Sequence, residues 1–129
     1  MNHTSYIELS RSALKQNFDY IRKTVGPECM ISHVVKGNAY GHGIDTFVPL
    51  AVDLGAKHFS TFDANEALEV FEITEGKSPV MIMGMIDDNQ VEWAVESGVE
   101  FYVFEIGRLK AAIDAAHKTG KKAKVHVEL

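Results

Sequence analysis

The sequence has little that would staple it, break it or carry it into a membrane. Cys29 is its one cysteine in 129 residues, so no internal disulfide can form, and a chain of this length does not need one to fold. Three prolines and ten glycines exclude collagen-like and proline-rich composition. No apolar run approaches the roughly 18–20 residues that span a bilayer, and the opening Met1-Asn2-His3-Thr4-Ser5 lacks the basic-then-apolar layout of a signal peptide. Excess positive charge is missing too. Thirteen basic residues against 18 acidic give a net charge of −5, which argues against nucleic acid or an anionic membrane surface as a partner. What remains, 46% hydrophobic and 24% charged, is a globular composition, and together these features read as a cytoplasmic protein.

Periodicity supplies an organisation. Tyr6-Ile7-Glu8-Leu9 predicts a short leading strand, and Leu14, Phe18, Ile21 and Val25 share one helical stripe that Gly26-Pro27 stops. Met30 to Val35 is short, apolar and β-branched, as a strand covered on both faces should be, and a glycine-rich turn follows from Gly37 to Gly43. The same unit then recurs. A helix capped by Asp45 ends at Gly55, and strand His58–Phe62 leads to a helix opened by Asp63 and Glu66 as a capping box. Strand Val80–Met83 precedes a helix starting at Asp87 or Asp88; strand Phe101–Phe104 precedes one carrying Ile106, Leu109 and Ile113; Lys124–Glu128 is a last strand.

The helix-ending glycines 26, 55, 76, 98 and 120 are separated by 29, 21, 22 and 22 residues, the length of one strand, one helix and two short loops. Such alternation predicts a parallel α/β architecture in one domain or one piece of a domain. A closed eight-unit barrel takes roughly 200–250 residues, whereas an open sheet of about six strands would be complete here. Periodicity leaves both open.

Reactive groups in parallel βα folds sit at the carboxyl ends of strands. Lys36 occupies such a place, after Val34-Val35. A desolvated lysine there is a Schiff-base candidate, and a lysine snorkelling into water is the plainer alternative. The three glycines of Gly37-Asn38-Ala39-Tyr40-Gly41-His42-Gly43 permit positive φ and close approach of backbone N–H groups to an anion, and an ordinary glycine-rich turn fits equally. The six histidines show no metal-ligand spacing, so no metal site is expected. Asp87-Asp88 reads as helix capping, Trp93 as helix packing, and Cys29 as a small hydrophobe without an activating partner.

Val34-Val35-Lys36-Gly37-Asn38-Ala39-Tyr40-Gly41-His42-Gly43 resembles the cofactor-attachment motif of the alanine racemase family, usually V-V-K-A-N/D-A-Y-G-H-G, with Gly37 in place of alanine. The likeness continues through Ile7-Glu8-Leu9 with Ala13-Leu14 and Asn17, through Asp63 to Glu66-Ala67, Met81-Ile82-Met83-Gly84 and His126-Val127-Glu128-Leu129. This resemblance implies an α/β fold, the N-terminal part of a TIM-type (β/α)8 barrel that binds pyridoxal 5'-phosphate, with parallel strands and outer helices. Residues 1–129 would then be a single partial domain, about the first third of such an enzyme, lacking the later barrel units and a β-rich domain.

By the same resemblance Lys36 attaches the cofactor and, once released by substrate, serves as base or acid on one face of Cα. Tyr40 reaches the cofactor phosphate, Met83 packs near its ring, and His42 fixes the loop. Glu128 matches a position often occupied by a lysine, carbamylated in some members, whose negative charge holds a later arginine; a glutamate supplies that charge without modification. The implied activity is interconversion of L- and D-alanine for peptidoglycan precursors, by a cytoplasmic homodimer whose second base is a tyrosine from the partner subunit's C-terminal domain. A chain of 129 residues would hold half an active site and be inactive alone. The competing readings are a non-catalytic pyridoxal-phosphate-binding barrel, and a Schiff-base aldolase or unrelated open-sheet domain.

Overall fold

The computed structural model describes residues 5–128. Its elements, in chain order, are α1 (Arg11–Val25), β1 (His33–Val34), α2 (Lys36–Tyr40), α3 (Ile44–Asp53), β2 (Phe59–Thr61), α4 (Ala64–Ile73), β3 (Val80–Ile82), α5 (Asp88–Ser97), β4 (Glu100–Val103), α6 (Ile106–Thr119) and β5 (Lys124–Val127). The expected leading strand is not among them. Residues 5–10 are irregular, Tyr6 and Ile7 are exposed, and no strand among the described residues pairs with them.

The five strands form one sheet in the order β1-β2-β3-β4-β5, every pair parallel. That order decides between the two architectures left open by periodicity. A doubly wound open sheet reverses direction at a switch point, whereas strands laid down in sequence by right-handed crossovers put all their helices on one face and curl towards a barrel. The fold is an arc of parallel βα units, part of a TIM-type barrel.

Alternation along the strands separates the two faces. Val35, Phe59, Val80, Ile82, Phe101 and Val103 are buried beneath the helices. The helices answer with small side chains, Ala51, Ala67, Ala94, Ala112 and Ala115, which let their backbones pack closely on the sheet. Caps set the helix starts. Asp63 Oδ1 accepts the N–H groups of Asn65 and Glu66 at 2.9 Å each, and Asp87 forms a capping box with Gln90. Trp93 packs edge-on against Phe71, as a helix-packing residue should.

Helix α3 corrects one expectation. Gly43, with φ 85°, is the residue preceding it, and Asp45 lies inside its first turn. The first N–H, that of Ile44, is instead satisfied by Asn38 Oδ1 at 2.8 Å from within the preceding turn. That turn, α2, is left-handed: Gly37, Asn38 and Ala39 have φ/ψ of 62°/45°, 53°/52° and 53°/44°, and Tyr40 has φ 56°.

Two measurable consequences follow from this geometry. A Cβ on Gly37 would meet nothing within 4 Å, so Gly37→Ala, the residue usual in the resembling motif, carries a purely conformational cost of about 1 kcal/mol in urea unfolding. A more stable variant would contradict the left-handed turn. The second concerns His33, which packs between Phe18 and Phe59. Burial foremost, then repulsion from His58 and Arg22, holds its imidazole below the usual 6.5. The unfolded chain therefore takes up this proton first, so stability falls as pH drops through about 6.5 towards the lowered value and is regained above it. Urea midpoints at about pH 8 and pH 5.5 should differ less in His33→Phe than in the wild type; an equal drop would remove His33 from the acid sensitivity.

Candidate active site

Lys36 follows Val35, whose N–H still pairs with Ser60 O at 2.8 Å, so the lysine emerges where the sheet ends. It is half-buried. With Gly37, Tyr40, Phe62, Asp63 and Glu66 it lines an open depression of about 440 Å³ at the carboxyl ends of β1 and β2. Lys36 and Tyr40 are thus brought to one place, four residues apart across the left-handed turn. A separate hollow of about 310 Å³ between α1 and β1, against Phe18, Arg22 and His33, holds none of the residues singled out by the motif.

The turn is tied down from three directions. Asn38 O accepts from Gly41 N and Gly43 N at 3.0 Å each, and Ala39 N donates to Val35 O at 2.7 Å. Asn38 Oδ1 accepts from Ile44 N. Glu66, on α4, reaches across: its Oε1 accepts from Asn38 N and its Oε2 from Phe62 N, both at 3.0 Å. Glu66 is therefore not the reciprocal half of a capping box. Its carboxylate leaves the Asp63 N–H and joins two loops, an arrangement that sequence spacing alone disguises as helix capping.

These bonds correct the expectation that the loop presents its amides to an anion. The N–H groups of Asn38, Ala39, Gly41, His42 and Gly43 are all spent inside the protein. Among the polar side chains this loop turns outward is the hydroxyl-bearing one of Tyr40, which is 64% exposed and lines the depression. The His42 ring makes no hydrogen bond among the described residues, so the loop-fixing task expected of it is performed by Asn38 and Glu66.

Met83 lies one residue beyond β3, half-buried, its N–H on Thr61 O. Extending the register of β1, β2 and β3 sets it level with Phe62 and Lys36 on the same face, two strand spacings from the lysine. It does not line the depression. Glu128 is farther away, exposed just past β5, where its N–H donates to Val103 O at 3.3 Å. No ion pair involves it among the described residues. Likewise, no group of three metal-type side chains occurs among the described residues, and no helix is long and apolar enough to cross a membrane.

The face of the sheet turned away from the helices carries a polar chain that sequence reasoning missed. Ser60 Oγ meets Ser32 Oγ at 2.5 Å, Ser32 Oγ meets His58 Nδ1 at 2.8 Å, and Glu100 lies between His58 Nε2 at 3.7 Å and His126 Nε2 at 2.9 Å. Each of these residues falls on the same parity of its strand. The two-residue spacing of His58 and Ser60 is the available signal, masked by the apolar residues that surround it in each strand.

Residues 9–129 match the family model described as "Alanine racemase, N-terminal domain". Among sequence relatives, alanine racemase 2 of Caldanaerobacter subterraneus subsp. tengcongensis is 34% identical over 95% of this chain and 31% of its own length. The alanine racemase of Desulforamulus reducens is 32% identical over 100% of this chain and 35% of its own length. Among solved structures, alanine racemase from Oenococcus oeni superposes with a TM-score of 0.80 at 25% identity, covering 92% of this chain and 32% of that one. Histidine racemase from Leuconostoc mesenteroides subsp. sake gives 0.78 at 26% identity, over 91% and 31%. The chain spans about a third of the length of the relatives it matches. Sequential parallel strands, the ten-residue motif around Lys36 and these matches agree: the chain belongs to the alanine racemase family and corresponds to its N-terminal domain.

Proposed function

We propose that this chain is the cofactor-bearing part of a pyridoxal-phosphate-dependent alanine racemase. The observation that carries the reading is the meeting of Lys36 and Tyr40 in one depression at the strand ends. Its volume of about 440 Å³ falls within the roughly 300–1,000 Å³ usual for small-molecule and cofactor sites. The donor set also fits the group. A primary amine suits an aldehyde, and a phenolic hydroxyl four residues on suits a phosphate. Lys36 would hold pyridoxal phosphate covalently and Tyr40 would orient its phosphate, with Met83 on the ring side of the same face.

Bound in this way, pyridoxal phosphate supplies an electron sink for the charge left when Cα loses its proton. The protein's own part is to move that proton. Lys36 Nζ, half-buried at the strand end, would accept or return it on one face of Cα. Inversion needs a second proton carrier on the opposite face. The depression offers Asp63 and Glu66 as carboxylates, and both are engaged with backbone amides. The family resemblance assigns the opposite base to a tyrosine of the partner subunit in a homodimer, and the engagement of both carboxylates here is in keeping with that assignment.

Alanine is the proposed substrate because the sequence relatives carry that name; the histidine racemase neighbour indicates that the same arc serves other amino acids. Glu128 would hold its arginine in the longer protein. A cytoplasmic setting and D-alanine supply for peptidoglycan precursors complete the reading, and the single unpaired cysteine is in keeping with a reducing compartment.

Titration of the 129-residue chain with pyridoxal phosphate should give weak but saturable visible absorption from lysine-bound cofactor, lost in Lys36→Ala and weakened about ten-fold or more in Tyr40→Phe. The same chain should not racemise alanine. Equal absorption from wild type and Lys36→Ala would remove Lys36 from the site, and turnover by the chain alone would contradict the assignment of the second base elsewhere.

A further inference from the structure

The proposed function gives Glu66 no part beyond fixing the loop, although its carboxylate lies in the depression with Lys36 and Tyr40. Its surroundings are unusual for a residue in the first turn of a helix. Its own N–H is fixed by Asp63 Oδ1, and its two carboxylate oxygens are divided between two different loops. One partner, Phe62 N, belongs to the end of β2. The other, Asn38 N, is the centre of the left-handed turn that separates Lys36 from Tyr40.

That turn needs an outside anchor. L-residues avoid the left-handed region, and here Asn38, Ala39 and Tyr40 occupy it in succession after Gly37. Strain of this kind persists only where neighbouring contacts over-determine the backbone. Asn38 carries most of those contacts, since its carbonyl and side chain bind Gly41, Gly43 and Ile44. Those partners follow it closely in the chain and would travel with the turn. Val35 O, bonded by Ala39 N, ties the turn to its own strand, whereas Glu66, 28 residues away at the β2–α4 junction, ties it to the neighbouring strand β2. A charge-assisted bond from a carboxylate to a backbone N–H is also among the stronger ones available.

We infer that Glu66 is the positioning residue of the Lys36 site: by clamping the Asn38 amide to the end of β2, it fixes the angle between the Lys36 amine and the Tyr40 hydroxyl. This rests on the functional reading above. It acts through the backbone and does not touch the proton in transit. Glutamine at this position keeps the size and one acceptor oxygen but turns its amide NH2, a donor, towards one of the two N–H groups; alanine removes both acceptors.

Two readouts on the 129-residue chain test it, neither needing turnover. Amide hydrogen exchange by NMR should be at least ten-fold faster at Asn38 in Glu66→Gln and Glu66→Ala, with the amides of β4 and α6 unchanged. Titration with pyridoxal phosphate should show capture at Lys36 weakened about ten-fold in Glu66→Ala and by a smaller factor in Glu66→Gln, while far-UV circular dichroism stays the same. Unaltered Asn38 exchange in Glu66→Gln overturns the clamp whatever the cofactor does. Faster exchange with undiminished capture overturns the positioning role. A wild-type chain that captures no cofactor, with Asn38 exchange still responding to Glu66→Gln, overturns the functional reading and leaves the clamp as a feature of the loop.

Discussion

The candidate site depends on a backbone that most amino acids avoid. Gly37, Asn38, Ala39 and Tyr40 follow one another with φ between 53° and 62°, directly after the strand that delivers Lys36. A right-handed or extended path there would send Tyr40 elsewhere, and the shared depression would be lost. The turn is held because Val35, Gly41, Gly43, Ile44 and Glu66 all bond to it, so that nearly every amide of the segment is committed internally. Glycine at position 37 lowers the conformational cost at one of the four residues. The remaining cost is offset by tertiary contacts, as expected of strain kept at a functional position.

A second constraint is the division of the sheet into unlike faces. The helix side is close-packed and apolar, with alanines facing Phe59, Ile82 and Phe101. The other side carries Lys36 and Met83 at one end and the Ser60–Ser32–His58–Glu100–His126 chain nearer the other. Branched aliphatic residues are the usual filling of such a barrel. Here a carboxylate between two imidazoles crosses from β2 to β5, a polar lining that would be costly to bury without its partners.

Much of this was legible in the residues. Evenly spaced glycines marked the βα units, and Asp63 and Asp87 marked two helix starts because an aspartate at the N-cap has a local, readable purpose. The motif around Lys36 pointed to the strand end where the depression lies. What local signals could not carry was anything set at long range. Strand order, which separates a barrel arc from an open sheet, is a property of the whole chain. Tyr6 to Leu9 had the alternation of a strand, but nothing among the described residues lies beside it to pair with. Asp45 looked like a cap, yet Asn38 takes that place because the turn folds back on α3, and Glu66 looked like half of a capping box while serving a loop 28 residues upstream.

The most direct test of the account is chemical trapping. The chain holds ten lysines, and several, such as Lys15, Lys77 and Lys118, are more exposed than Lys36. Brief incubation with substoichiometric pyridoxal phosphate, borohydride reduction and peptide mapping should place the label on Lys36 ahead of the other nine. Labelling that follows exposure, with Lys36 no more modified than the surface lysines, would contradict the claim that the turn and the strand end together form a cofactor site.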